Sequence, residues 1–178
     1  MDGMGAAPRV VVLGWGNETR ADDGLGPALT ARIEAAGWPH VTVIEDFQLQ
    51  IEHALDLVGA DLVLFVDAGF ETPAPFFFAE TAPRGGMTHS SHGLQPEAVL
   101  AVYQQVRGDP PPPAFVLCIR GEDFSLAEGL TPEAEARLAD AWAHVVPLLT
   151  APSLSGWRAA QVGQAPDRAP PVPGLTVT

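Results

Sequence analysis

Cysteine, cationic side chains and long apolar runs are what this chain has least of, and each scarcity excludes something. Cys118 is the single cysteine in 178 residues, so no internal disulfide can form, which fits a reducing, cytoplasmic setting. Lys and Arg total 9 against 22 Asp and Glu, a net charge of −13. A surface of that sign should repel nucleic acid, whose binding rests on cationic contacts to phosphate. It also argues against an anionic membrane surface and favours a partner with a basic patch or tail. No apolar run approaches the ~20 residues of a membrane span. Residues 1–8 carry Asp2 and no basic segment ahead of an apolar one, so no secretory signal is expected. What the chain does have is 47% hydrophobic residues, enough to bury one sizeable core in one domain.

The chain is organised around residues 10–26. Val10, Val11, Val12 and Leu13 form a continuous apolar run without alternation, as expected of a strand buried on both faces of a parallel sheet. Gly14, Gly16 and Asn17 then break the strand where a tight turn needs positive φ or close backbone approach. Asp22 and Asp23 follow, bracketed by Gly24 and Gly26, and residues 27–36 form an amphipathic run ending at Gly37. A dinucleotide fingerprint, G-x-G-x-x-G, is the tempting alternative. Gly14 and Gly16 fit it, but Thr19 stands at the third position and two carboxylates occupy the place where a phosphate would dock. The pair suits a cation or the polarisation of a water better; the plainer reading is that one of the two acids serves only to cap the helix.

Further along, residues 41–44 read as a second strand ending at Glu45 and Asp46. Ile51, Ala54, Leu55 and Val58 give residues 48–58 helical spacing, with His53 a solvated helix residue of no assigned role. Residues 61–66 are another continuous apolar run, with Asp67 at its carboxyl end. Proline-flanked Phe76, Phe77 and Phe78 suggest an antiparallel edge strand. A polar, glycine-rich loop over 84–93 carries His89 and His92 and leads into a helix over 94–107. Residues 114–119 form the next buried strand, with Cys118 a small buried thiol rather than a nucleophile. Thr131, Pro132 and Glu133 are a clean helix start, and that helix runs to about residue 149, with His144 structural.

Strands alternating with helices predict an α/β fold, a three-layer α/β/α arrangement around a mostly parallel sheet. Residues 1–150 make its single domain. Residues 151–178 form a Pro/Ala-rich tail without periodicity, expected to be flexible, with Trp157 the one aromatic suited to dock back. Ligands of such sheets bind outside the carboxyl ends of the strands, near the switch in strand order. Asp22 and Asp23, Asp67 and His92 all fall there. Two carboxylates and an imidazole from three loops suit a first-row divalent metal with positions left open. They are equally an acidic rim with a solvated histidine, and spacing leaves both readings open.

Gly14 to Gly26, read as Gly-x-Gly-Asn, four further residues, then Asp-Asp-x-x-Gly, resembles the opening signature of the endopeptidases that mature nickel-iron hydrogenases. The similarity extends in residue order over about 9–149. It implies a phosphorylase/hydrolase-like α/β fold, with Asp23, Asp67 and His92 as metal-binding and catalytic residues. His92 is preferred over His89 because it follows Ser90 and Ser91 directly before the helix. The activity implied is removal of a C-terminal extension from the precursor of a hydrogenase large subunit after nickel insertion. Nickel is then the cofactor, carried by the substrate and read by the peptidase, and no nucleic acid or membrane takes part. After the second strand many members read Asp-Gly-Gly-Thr; Asp46-Phe47-Gln48-Leu49 with Glu52 looks more like the branch serving NAD-coupled, bidirectional hydrogenases. The alternatives are a non-enzymatic metallochaperone of hydrogenase assembly using the same ligands and, third, a nucleotide-binding Rossmann-type enzyme.

Overall fold

The computed structural model describes residues 7–84 and 94–163. The apolar runs become β1 (Val10–Trp15), β3 (Leu62–Gly69) and β5 (Ala114–Arg120), joined by β2 (Val41–Asp46) and β4 (Phe76–Thr81). They form one sheet in the order β2-β1-β3-β5-β4. The first four strands run parallel, and β4 pairs antiparallel with β5 at the edge, as its flanking prolines suggest. The helices are α1 (Leu25–Ala36), α2 (Pro96–Arg107), α3 (Pro132–Thr150) and α4 (Leu154–Ala159).

The continuous apolar character of the central strands has a direct cause: alternate residues face opposite layers, and both layers are buried. Val10, Val12, Leu62, Leu64, Phe115 and Leu117 point at α1 and α3, meeting Leu29, Ile33, Leu138 and Val145. Val11, Leu13, Val63, Phe65 and Val116 point the other way, at Leu57 and at Val99, Leu100 and Tyr103 of α2. The arrangement is the expected three-layer α/β/α. Thr131 caps α3 by accepting a hydrogen bond from the Ala134 amide (3.1 Å), and His144 is structural, as expected. It donates to the Ala160 carbonyl (3.0 Å) and packs against Phe76 and Phe78; burial holds its pKa below the ordinary value.

Residues 48–58 differ from expectation. They form a 3-10 segment, Ile51–Leu57, and its three-residue turns bring Ala54 and Leu57 onto the sheet while Ile51, Leu55 and Val58 remain exposed. His53 is not solvated: it is 6% exposed. Its Nδ1 accepts from the Gln50 amide (2.8 Å), so Nε2 carries the proton and donates to Asp46 Oδ2 (3.1 Å). The ring thereby ties the segment to the end of β2.

The body also extends past residue 150. Ser153 caps α4 through the Gly156 amide (3.0 Å), and Trp157 on that helix is 1% exposed. Its ring meets Phe78 and Phe115 edge-on and its indole nitrogen donates to the Leu148 carbonyl (2.9 Å). Val162 then exchanges two backbone hydrogen bonds with Phe78 (2.8 and 3.0 Å), which covers the outer side of β4 and blunts a sheet edge. The rest of the expected tail, 164–178, lies outside the described residues. Trp157→Phe should lower unfolding free energy by about 1–2 kcal/mol in urea denaturation, from the lost hydrogen bond and a small cavity. An unchanged midpoint would mean that the ring is not docked.

Candidate active site

The first loop is closed by contacts that admit no side chain at its glycines. Gly16 has φ +152°, and a Cβ there would lie 2.0 Å from the Asp23 carbonyl oxygen. A Cβ on Gly26 would lie 2.3 Å from the Trp15 carbonyl oxygen. The start of α1 therefore packs directly under the end of β1, and the chain between them is folded back on itself. Asn17 fixes the turn by accepting from the Thr19 amide (2.9 Å) and hydroxyl (2.6 Å). The Asn17 amide donates to Asp23 Oδ2 (2.8 Å). A backbone amide that a phosphate would need is thus already occupied by a carboxylate, which disfavours nucleotide binding here. Neither acid caps α1, whose N-terminus has no side-chain cap.

The two adjacent acids have different fates. Asp22 is fully buried and accepts hydrogen bonds from the Thr131 amide (2.8 Å) and hydroxyl (2.8 Å) and from the amides of Glu122 (2.7 Å) and Asp123 (3.1 Å). Burial pushes its pKa up, but the Thr131 and Glu122 amides, the Thr131 hydroxyl and the Asp123 amide together outweigh that and hold it below 3.8. Asp22 is a strut that ties the first loop to the 121–131 loop. The Ala21 amide joins the same seam by donating to the Ala127 carbonyl (2.7 Å), and Ala21 itself has φ +49°, a conformation costly for a residue with a side chain. Asp23 is half-buried and faces elsewhere.

Asp23 lines a cleft of about 820 Å³ outside the carboxyl ends of the parallel strands. That is the switch point, where β1 has β2 on one side and β3 on the other. Asp67, near the end of β3, lines the same cleft, so the structure brings together two of the three expected residues. His92, with His89, lies outside the described residues; Gln95, two positions past that segment, also lines the cleft. Among the described residues no group of three or more His, Cys, Asp or Glu is placed to hold a metal. The two carboxylates supply hard oxygen donors of the kind a divalent cation takes, but not by themselves a complete site. Asp23 Oδ1 has no donor among the described residues, which leaves it available to a ligand.

Trp15, Phe77, Thr72 and Cys118 also line the cleft, with Phe47 and Phe70 on its exposed rim. Phe70 packs edge-on against Phe124 at 5.9 Å. Cys118 is 6% exposed and shares a hydrogen bond with the Thr72 hydroxyl (3.2 Å), a buried thiol as expected. The described histidines do not line the cleft; His40, His53 and His144 bond to Leu149, Asp46 and Ala160. Among the described residues no serine lines the cleft, and Cys118, which does, has Thr72 rather than a histidine as its hydrogen-bond partner. A smaller hollow of about 280 Å³, lined by Glu80, Thr81, Arg84 and Glu97, lies beside β4 toward the opposite end of the sheet.

Sequence reasoning passed over three residues that shape this site. Thr72 holds the 70–75 loop through Cys118 and through its carbonyl, which accepts from Arg120 (3.4 Å). Arg20 lines the cleft beside the acids. His53 anchors the turn that carries Phe47 and Gln48 to the cleft. Only His53 left a local signal, since Gln50 and His53 stand at the spacing of a capping box.

No protein-family profile matches the chain, and no curated protein matches it. Solved structures do. Hydrogenase maturating endopeptidase HybD from E. coli superposes with a TM-score of 0.66 at 22% identity, over 80% of this chain and 92% of its own. The [NiFe] hydrogenase maturation protease HycI from Thermococcus kodakarensis KOD1 gives 0.65 at 21% identity, over 82% and 94%. The hydrogenase 2 maturation peptidase from Thaumarchaeota archaeon SCGC_AB-539-E09 gives 0.59 at 22%, over 79% and 97%. The fold, with its cleft at the strand switch, is the fold of the hydrogenase maturation endopeptidases.

Proposed function

We propose that this protein is an endopeptidase that removes a C-terminal extension from the precursor of a nickel-iron hydrogenase large subunit once nickel has been inserted. The observation that carries the reading is that Asp23 and Asp67, 44 positions apart in the sequence, line one cleft in a fold shared with proteins named for that maturation. Nickel here belongs to the substrate. Asp23, Asp67 and, on the sequence resemblance, His92 offer oxygen and nitrogen donors to an ion that the precursor already holds by thiolates. The ion then reports maturity and orients the scissile bond. A carboxylate of the cleft accepts the proton of the attacking water, and the departing amine takes a proton as the C–N bond breaks. Asp46-Phe47-Gln48-Leu49 makes precursors of NAD-coupled bidirectional hydrogenases the first to try. Among the described residues no helix is long and apolar enough to cross a membrane.

The test is incubation with nickel-loaded and nickel-free precursor, followed by intact mass. The loaded precursor should lose the mass of its extension and the nickel-free one should not. A stable complex with the loaded precursor at unchanged mass would identify an accessory binding protein instead, and no interaction with either would remove the reading altogether.

A further inference from the structure

We propose that Arg20 forms a carboxylate-binding subsite at the cleft, taking an anionic group of the peptide that enters it. The inference rests on the endopeptidase reading and adds to it the chemistry of one contact. Arg20 is the only cationic side chain among the described residues that line the cleft. Three carboxylates, Asp23, Asp67 and Glu71, line the same space, yet the Arg20 guanidinium makes no ion pair with any of them. Arg120 and Arg137 pair with Glu122 and Arg158 with Glu80, whereas Arg20, like Arg9, Arg32 and Arg107, has no ion pair among the described residues; of these four only Arg20 lines the cleft.

The backbone beneath Arg20 is held on all sides. Its amide donates to the Asn17 carbonyl (3.0 Å), its carbonyl accepts from the Asp23 amide (3.0 Å), and the Ala127 amide donates to the Thr19 carbonyl (3.0 Å). An exposed arginine on a fixed loop, unpaired beside three acids, presents five donors in a planar fork to whatever enters. A carboxylate matches that fork with two parallel hydrogen bonds. A phosphate dianion meets the same fork but twice the repulsion from Asp23, Asp67 and Glu71, so the observations favour a monoanion. On a peptide, that is either an Asp or Glu side chain or the terminal α-carboxylate.

Steady-state processing of nickel-loaded precursor by wild type, Arg20→Gln and Arg20→Lys tests the subsite. Arg20→Gln should raise KM about tenfold or more with kcat within about twofold, and Arg20→Lys should recover part of the loss. Changing the extension's acids to amides, or amidating its terminus, should abolish the difference between wild type and Arg20→Gln in one arm and so name the source. An unchanged KM, or a fall in kcat alone, overturns the subsite; the latter would assign Arg20 to the developing oxyanion. If wild type processes no precursor, the endopeptidase reading fails by itself. The subsite is then read from the Gly16 and Asn17 amide resonances titrated with a peptide Ac-Ala-Glu-Glu-Ala-NH2 and its Gln counterpart. Saturable shifts with the Glu peptide only, lost in Arg20→Gln, support it; equal responses to both peptides, or none, overturn it.

Discussion

Asp22→Ala should lower the unfolding free energy by about 3–5 kcal/mol and loosen the seam between the first loop and the 121–131 loop. The expected size follows from what remains after the carboxylate is gone. Three backbone amides and one hydroxyl, all now bonded to Asp22, would face a cavity with no acceptor. Asp22→Asn should recover only part of the loss, because its amide NH2 would point donors at donors. The same contacts make a pH prediction. The folded pKa lies below the ordinary value of 3.8, so the contribution is complete above that value and is lost as pH falls through the lowered one. Urea denaturation at neutral pH and at pH 3 checks both: wild type should weaken toward acid more steeply than Asp22→Ala. Equal slopes would mean that Asp22 is not the charged strut described here.

Asp23→Asn and Asp67→Asn should do the opposite, leaving the fold and removing the activity. Asp23 is half-buried and accepts one backbone hydrogen bond, so the stability change should stay near ~1 kcal/mol. On the proposed function, processing of nickel-loaded precursor should fall at least about 100-fold, since loss of a proposed donor to the substrate's metal should exceed the 10–100-fold typical of losing a donor's outer partner. His92→Ala should behave alike on the sequence resemblance. The comparison with Asp22 is what gives the experiment its force: neighbouring acids fail for different reasons, one through unfolding and one through chemistry. Normal processing by Asp23→Asn and by Asp67→Asn, with both folded, would overturn the carboxylate site.

How much of this was legible beforehand depended on range. The four unalternating residues of β1 read as a strand covered on both faces, and Thr131-Pro132 as a helix start, since each signal lies within one element. Gly14 and Gly16 read as sites of close approach, which they are: a Cβ would lie 2.2 Å from Thr30 Cγ2 at the first and 2.0 Å from the Asp23 carbonyl oxygen at the second. The helical spacing of 51, 54, 55 and 58 misled because a 3-10 turn of three residues puts 54 and 57 on the sheet. Trp157 hinted at docking, yet the partner rings Phe78 and Phe115 come from strands far upstream.

The amino-acid sequence by itself determined the layering, the parallel strands, the glycine-lined first loop and the candidacy of Asp23 and Asp67. These follow from local periodicity and from the short reach of a turn. Local pattern left the Asp22-Asp23 pair undivided and only the family resemblance pointed to Asp23; the tertiary structure sets Asp23 on the cleft and buries Asp22. The groups that claim Asp22 lie 100 to 109 residues away, and no local pattern records which distant donors will arrive. The same reason holds for His53, buried by the way its segment turns, and for Arg20, left unpaired in a cleft that four separate strands must meet to form.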